Sequence, residues 1–460
     1  MAVVGGGITG LAAAYYLQEA GAAVTVVEAG DRFGGKIRTD DLAGVPVEAG
    51  PDTFLARVPE VVELCRALGL GDRLVAPATG VASVWARGRL RPLPEGHVLG
   101  VPTRLGPLVR SGVLSPAGVA RAALDLVLPR RANGDDPSVA AVIGTRMGRE
   151  VVDRLVEPLV GGINAGRADR LSLAATAKPL AEAAAAHRSL VVGLRRRPAP
   201  DPAAGPVFLG VAGGLEGLVN RLRTALVEGA DVRMATAVTG LDRLPHGGWR
   251  LVCRPGPPIE VEACVLTVPA PVAARLLGPL SERASAALAT IRYASVALAT
   301  LGYRPDSLRA PLVGSGYLMP RTEGRLHTAC TFSTTKWPAL GDSGLVLVRA
   351  SAGRDGDDRP AALDDEDLAA RLHAEVAPVI GAGSPPVVTR VDRWPQSFPQ
   401  YEVGHLARVE AVEAALAADA PGIVVAGAAY RGLGIASCVV QAKAAAARVV
   451  AGPTSPGAGR

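Results

Sequence analysis

Aromatic residues make up 3% of this 460-residue chain, and lysine occurs only at positions 36, 178, 336 and 443. So few aromatics argue against the stacking platforms that bind single-stranded nucleic acid, and no nucleic-acid partner is expected. Arginine therefore carries nearly all the positive charge behind a net +6. With so much alanine beside it, that surplus partly reflects a GC-rich coding sequence, and it also suits an acidic substrate or an anionic membrane surface. The five cysteines (Cys65, Cys253, Cys264, Cys330 and Cys438) are odd in number and lack CxxC spacing. They read as free thiols in a reducing compartment. Six scattered histidines form no ligand cluster, so no metal site is expected. No clean apolar run is long enough to span a bilayer, since the best stretch, Cys264 to Leu280, is broken by prolines and Arg275. With no secretory leader ahead of the first strand, the expectation is a cytoplasmic protein, with peripheral contact at the inner face of a membrane left open.

What the chain does have is glycine in telling places. Ala2-Val3-Val4 runs into Gly5-Gly6-Gly7-Ile8-Thr9-Gly10, an alanine-rich helical stretch, the strand Val24 to Val27, and then Glu28. This is the order of a dinucleotide-binding βαβ unit. Gly5 permits a tight turn, Gly7 lets backbone approach a pyrophosphate, and Gly10 lets helix pack on sheet. The helix N-terminus turns free N–H groups toward phosphate. Glu28 lies 18 residues after Gly10, the place of a carboxylate that binds ribose hydroxyls and repels a 2′-phosphate.

A length of 460 residues and an apolar content of 49% fit two or three globular domains. Loops are expected at Pro92–Gly106, Arg130–Ser138, Arg195–Pro206, Arg254–Pro258 and Asp355–Pro360. Helical patterns cover Val119–Leu128, Val139–Met147, Glu150–Val160 and Leu171–His187, and strand-like runs cover Trp249–Cys253, Val261–Val268, Ser295–Tyr303 and Leu345–Ala350. The end repeats strand, glycine turn and helix over Gly422–Gly427, Tyr430–Ala436 and Val439–Val450. The pattern predicts a nucleotide fold opened by one helical and one mixed insertion, starting and finishing in the same sheet.

Arg32-Phe33-Gly34-Gly35-Lys36 resembles the second pyrophosphate-proximal element of FAD enzymes in the amine oxidase, phytoene desaturase and protoporphyrinogen oxidase superfamily. Further segments narrow that resemblance. Gly50-Pro51-Asp52-Thr53-Phe54, Glu157-Pro158-Leu159-Val160-Gly161-Gly162, Gly213-Gly214-Leu215, Gly316 to Arg321, Phe332 to Pro338, Pro399 to His405 and Ala426 to Ile435 resemble, in order, elements of the oxygen-dependent protoporphyrinogen/coproporphyrinogen III oxidases. Asn164 and Arg167 stand where that family usually has Tyr and Asp, and Ser437 and Ala442 where it often has Asp and Gly.

The resemblance implies an α/β fold, α+β overall. A Rossmann-like FAD-binding domain of the amine oxidase/p-hydroxybenzoate hydroxylase type would span 1–80, 206–275 and 412–452. A mixed-sheet substrate domain would span 81–87, 188–205 and 276–411. A helical insertion at 88–187 would cover the pocket or face a membrane, and 453–460 would be a disordered tail. For the cofactor FAD, Gly5, Gly6, Gly7, Ile8, Thr9, Gly10, Glu28 and Ala29 would hold the ADP half, and Gly35 and Lys36 would approach the pyrophosphate or ribityl chain. Gly50, Pro51, Asp52 and Thr53 would line the isoalloxazine, with Trp394 at its border and the Val238 backbone at the adenine. Gly427, Gly434, Ile435 and Ala436 would bring a last helix N-terminus to the flavin N1/O2 edge.

The implied chemistry is oxidation of a porphyrinogen with O2 as acceptor and H2O2 as product, in heme biosynthesis. Coproporphyrinogen III is the expected substrate and protoporphyrinogen IX the alternative. A flavin amine oxidase, a carotenoid desaturase and a non-catalytic FAD protein stay open beside it. Transient contact with other heme-pathway enzymes also stays open. Arg57 is the candidate propionate anchor, because a guanidinium fork suits a carboxylate. His405 is expected to be structural, and no general base is assigned.

Overall fold

Alternation along five short strands builds the first layer of the protein. The computed structural model describes residues 1–129, 134–198, 205–227 and 229–452. The strands run parallel in the order Ala230–Arg233, Val24–Val27, Ala2–Val4, Cys264–Leu266 and Ile423–Val425. Successive side chains of a strand point to opposite faces. Val3, Val26, Val265 and Val424 therefore meet helices Ile8–Glu19, Glu216–Val227 and Ile435–Val450. Ala2, Val4, Val27, Cys264, Leu266, Ile423 and Val425 face the other way. There they pack on an antiparallel three-stranded sheet (Ala237–Arg243, Trp249–Arg254, Ile259–Val261) and on helices Ala270–Leu277, Glu282–Ala289 and His405–Asp419. Burial on both faces explains why the inner strands Ala2–Val4 and Cys264–Leu266, with Ile423–Val425, read as unbroken apolar runs, whereas the edge strand Ala230–Arg233 carries Asp and Arg. The chain does begin and end in one sheet.

The run Val261–Val268, expected as one strand, divides in two. Ile259–Val261 pairs antiparallel with Trp249–Arg254, while Cys264–Leu266 pairs parallel with Ala2–Val4. One apolar run thus serves two sheets, which periodicity alone does not separate. At the C-terminus, the expected strand, glycine turn and helix are the strand Ile423–Val425, the loop through Tyr430 and the helix Ile435–Val450, which starts a few residues earlier than expected.

The second layer is a seven-stranded mixed sheet. Its order is Val388–Pro399, Tyr293–Tyr303, Val346–Ala352, His327–Phe332, Gly316–Leu318, Ala82–Ala86 and Arg89–Pro92. Helix Asp365–Ile380 closes one side. Asp364 caps it by accepting from Asp367 N–H, three acids fill its first turn, and Gly381 ends it at φ +74°. Its stripe Leu368, Leu372, Val376 and Ile380 is buried in the sheet's core. Each such side chain contributes about 1.5–3 kcal/mol by leaving water.

A helical layer covers the other side of the molecule. Ser115, Ser138, Ser172 and Ser189 each cap a helix by accepting a backbone N–H three residues on. The stretch expected as an α-helix over 150–160 is instead largely the wider π-helix Val152–Gly161 with Pro158 inside it. A proline has no N–H to give to the ordinary ladder, and such widened turns gather at functional sites. The helical layer also extends past the expected boundary at 187. Leu190, Val191 and Leu194 are buried in its core because buried Asp125 accepts from Leu190 and Val191 N–H and Ser189 Oγ. At its other end, Arg89–Pro92 pairs with Ala82–Ala86 and so belongs to the seven-stranded sheet. The loops expected over Arg130–Ser138 and Arg195–Pro206 lie partly, and the tail 453–460 wholly, outside the described residues. Among the described residues, no helix is long and apolar enough to cross a membrane.

Candidate active site

The two glycine turns lock onto each other. Gly34 N–H donates to Gly6 O at 2.9 Å, and Gly7 bridges Gly34 in parallel. A Cβ on Gly10 would collide with Gly5 O, and one on Gly6 with the Phe33 ring. Gly5, at φ +107°, lies so close to Thr267 that a Cβ would come within 2.8 Å of its Oγ1. Gly7 differs. Its φ is −71°, and a Cβ there would meet only Gly35 Cα, at 4.0 Å. The protein itself does not demand a glycine at 7. A group lying against the turn would.

The surrounding donors fit an anionic dinucleotide. Helix Ile8–Glu19 begins at Gly7 with no side-chain cap and no acid in its first turn. Glu28 accepts from Gly6 N–H at 2.5 Å and Gly30 N–H at 2.7 Å, which pins the carboxylate at the turn's rim beside exposed Ala29. Backbone bonds from Ala235 to Gly30 O and from Thr236 to Glu28 O bring the strand start, and with it Val238, to the same end. Gly427 closes the floor. At φ +128°, its Cβ position lies 3.5 Å from Thr9 Oγ1. Helix Ile435–Val450 also starts uncapped, at Gly434, where a Cβ would meet nothing within 4 Å. Both open helix starts, and both open glycines, lie on the first sheet's helical side.

The loop Gly50-Pro51-Asp52-Thr53 is clamped to the second sheet by charge. Lys336 Nζ donates to Asp52 Oδ2 at 2.7 Å, Trp337 Nε1 at 3.4 Å, and Arg349 stands 3.6 Å away. Burial would raise the Asp52 carboxyl, but Arg349 and Lys336 outweigh it and hold it at about 2. Arg349 also donates to Glu48 O and Gly50 O. Trp394 donates its indole N–H to Ala49 O at 2.6 Å, which places it beside Gly50. Lys36 extends its ammonium to Ser397 O, and burial lowers its proton affinity. Lys36, Gly50, Asp52 and Trp394 are thus gathered around one seam. Glu48 lies behind the loop, accepting from Leu215 N–H at 2.5 Å and Thr39 Oγ1 at 2.9 Å. Burial pushes it up to about 7.

Beyond Trp394 on the same strand, Phe398 lines a cleft between the π-helix and the seven-stranded sheet. Val296, Leu298 and Met319 supply an apolar wall, and Glu157, Arg321 and Arg354 supply charge. Arg321 Nε donates to Glu157 at 2.9 Å, and its other nitrogens hold Asp355 O and Gly166 O.

Arg57, the expected propionate anchor, stands elsewhere, and His405, expected to be structural, packs in the interior. Arg57 donates to Gly205 O at 3.0 Å on the surface and does not line this cleft. His405 is fully buried and stacked on Tyr401 at 3.9 Å, with Nε2 on Tyr430 O. Burial lowers it to about 4, so it packs as a neutral ring and reaches no substrate. Sequence reasoning assigned no role to Lys336, Arg349, Arg321, Arg354 or Glu48. Lys336, one of four lysines, carried the only compositional signal among them.

The profile of the family described as flavin containing amine oxidoreductase matches residues 8–450. A coproporphyrinogen III oxidase of Bacillus subtilis (strain 168) is 36% identical over 454 residues, covering 96% of each chain. A protoporphyrinogen oxidase of Bos taurus is 30% identical over 476 residues, covering 97% of this chain and 98% of its own. Among solved structures, one from Exiguobacterium sp. 255-15, provisionally assigned as a protoporphyrinogen oxidase, superposes with a TM-score of 0.86 at 32% identity, covering 97% of each chain.

Proposed function

The chain belongs to the flavin containing amine oxidoreductases, and from that premise we propose that it oxidises coproporphyrinogen III to coproporphyrin III, with FAD as cofactor, in heme biosynthesis. The observation that carries the reading is the cleft itself. An apolar wall that suits the pyrrole rings of a macrocycle ends in guanidinium groups that suit its propionates, and Phe398 joins that wall to Trp394 at the flavin loop.

In each of three two-electron rounds the macrocycle loses a hydride from a methylene bridge and a proton, six hydrogens in all on the way to the porphyrin. The flavin, when bound, supplies the hydride acceptor and a route for electrons to dioxygen, with hydrogen peroxide released. The protein's share is placement. Val296, Leu298, Met319 and Phe398 would exclude water and hold the apolar face of the macrocycle in place. The Lys336–Asp52–Arg349 cluster fixes the loop that shapes the flavin's side of the seam. The open turn at Gly7 and the two uncapped helix starts would hold phosphate and the flavin's electron-rich edge.

Coproporphyrinogen III is preferred over protoporphyrinogen IX because it offers four carboxylates to an arginine-lined cleft. The greater likeness to the Bacillus subtilis relative points the same way. A cytoplasmic setting belongs to the same reading, supported by five cysteines that are all free and buried. The test is to mix the purified protein with each porphyrinogen and follow porphyrin fluorescence and flavin bleaching. Faster oxidation of coproporphyrinogen III is expected. A marked preference for protoporphyrinogen IX would overturn the substrate. Oxidation of amines or polyenes alone, or no bleaching by any porphyrinogen, would overturn the function.

A further inference from the structure

Resting on the porphyrinogen reading, we propose that Arg354 is the carboxylate anchor of this cleft, binding one propionate at the edge of a macrocycle that lies on the sheet. Arg354 follows Gly353, whose φ of +88° turns the chain off strand Val346–Ala352. A Cβ at Gly353 would lie 2.5 Å from Ser295 O, so the turn is pressed against the neighbouring strand and the arginine is directed back into the cleft. Arg354 and Arg321 line both the cleft and the outer vestibule bordered by Gly356, Asp358 and Arg359.

Arg354 is the one of the pair without a hydrogen-bonded acid. Its side chain is only 10% exposed, yet its Nε finds no hydrogen-bond partner among the described residues. The acids around it are spoken for. Asp357 stands 3.8 Å from Arg354 Nε, but Arg359 holds both its oxygens at 2.7 Å. Glu157 accepts from Arg321 Nε at 2.9 Å and Ala168 N–H at 3.0 Å. Asp355 is engaged by Arg292 and, at 3.6 Å, Arg170. Burial first, and the Arg321 charge next, lower Arg354 to about 10, so it stays protonated at neutral pH. A buried cation without a hydrogen-bonded acid is costly, and a carboxylate in the cleft that Arg354 lines would supply the missing counter-charge. The planar fork gives that contact direction as well as charge. The vestibule lets the remaining propionates stay in water.

The test compares coproporphyrinogen III with its tetramethyl ester, using wild type, Arg354→Met and Arg354→Lys. The Met variant keeps the stem and loses the charge. For the acid, its KM is expected to rise about ten-fold or more, with a smaller change in kcat and unchanged flavin content, while KM for the ester stays within about two-fold. Arg354→Lys should fall between, and it carries the comparison if the Met variant does not fold. Equal effects on acid and ester, or none on either, would overturn the anchor. If the wild type oxidises no porphyrinogen, the functional reading fails on its own. Coproporphyrin III titrated against flavin fluorescence then decides the anchor: weaker binding by Arg354→Met supports it, and equal affinity or no binding by either protein overturns it.

Discussion

Lys336 and Asp52 lie 284 residues apart in sequence and meet at 2.7 Å across the seam between the two sheets. With Arg349 3.6 Å from the same carboxylate, the trio ties the loop of the nucleotide layer to the substrate layer. All three side chains are mostly buried, so removing the anion strands two cations. Asp52→Asn is expected to cost about 3–5 kcal/mol of stability and to lower flavin occupancy. Thermal melting and the flavin-to-protein absorbance ratio check it. Because the folded Asp52 carboxyl is held at about 2, below an unfolded value of about 3.9, its stabilisation is present above pH 4 or so and lost as pH falls toward 2. A variant as stable as the parent at neutral pH would contradict the clamp.

Glu48 predicts the opposite slope. Burial raises it to about 7, above an unfolded glutamate near 4.3. The folded chain then binds the extra proton between those values, and the stabilisation is lost as pH rises through that window, by up to about 4 kcal/mol. Glu48→Gln should therefore flatten the fall in melting temperature between about pH 5 and about pH 8 and stabilise the protein at the upper end. An unchanged slope would show that the carboxyl is ionised throughout.

Gly7 and Gly10 should separate folding from cofactor binding. A Cβ at Gly10 would overlap Gly5 O, so Gly10→Ala is expected to destabilise even the flavin-free protein. Gly7→Ala has room and an ordinary φ, so the flavin-free protein should melt as before while its flavin affinity drops about ten-fold or more. Equal flavin affinity in Gly7→Ala would mean that no phosphate lies on this turn.

Arg57→Ala is expected to change the KM for coproporphyrinogen III by less than about two-fold, because its guanidinium is committed to Gly205 O outside the cleft. Steady-state kinetics on the flavin-replete protein decide it. A ten-fold rise, to the level expected of Arg354→Met, would return Arg57 to the substrate site.

The nucleotide half was legible in the sequence because its rules are local. Gly5 needs a positive φ, Gly10 sits one turn from Gly5, and Glu28 ends a strand whose length is set by its pairing with Ala2–Val4. Each depends on a few neighbouring residues and on backbone sterics. The sixteen-residue helix Asp365–Ile380 and the long strand Val388–Pro399 were as regular, yet they lay outside the expected elements. Their mixture of arginine, proline and acid hides the periodicity that their tertiary faces reveal.

By itself, then, the sequence determined that a dinucleotide turn opens the chain, that a second glycine turn follows it, and that both belong to a flavin-family scaffold. Only the tertiary structure decided which charges matter. Among so many arginines, residue type cannot tell Arg57 on a surface carbonyl from Arg354 buried with an open donor. That difference arises from competition for Glu157, Asp355 and Asp357, which Arg321, Arg292 and Arg359 win by geometry across segments far apart in the chain. Local backbone rules travel with the sequence, whereas the pairing of long, flexible cations is settled only when the layers close around them.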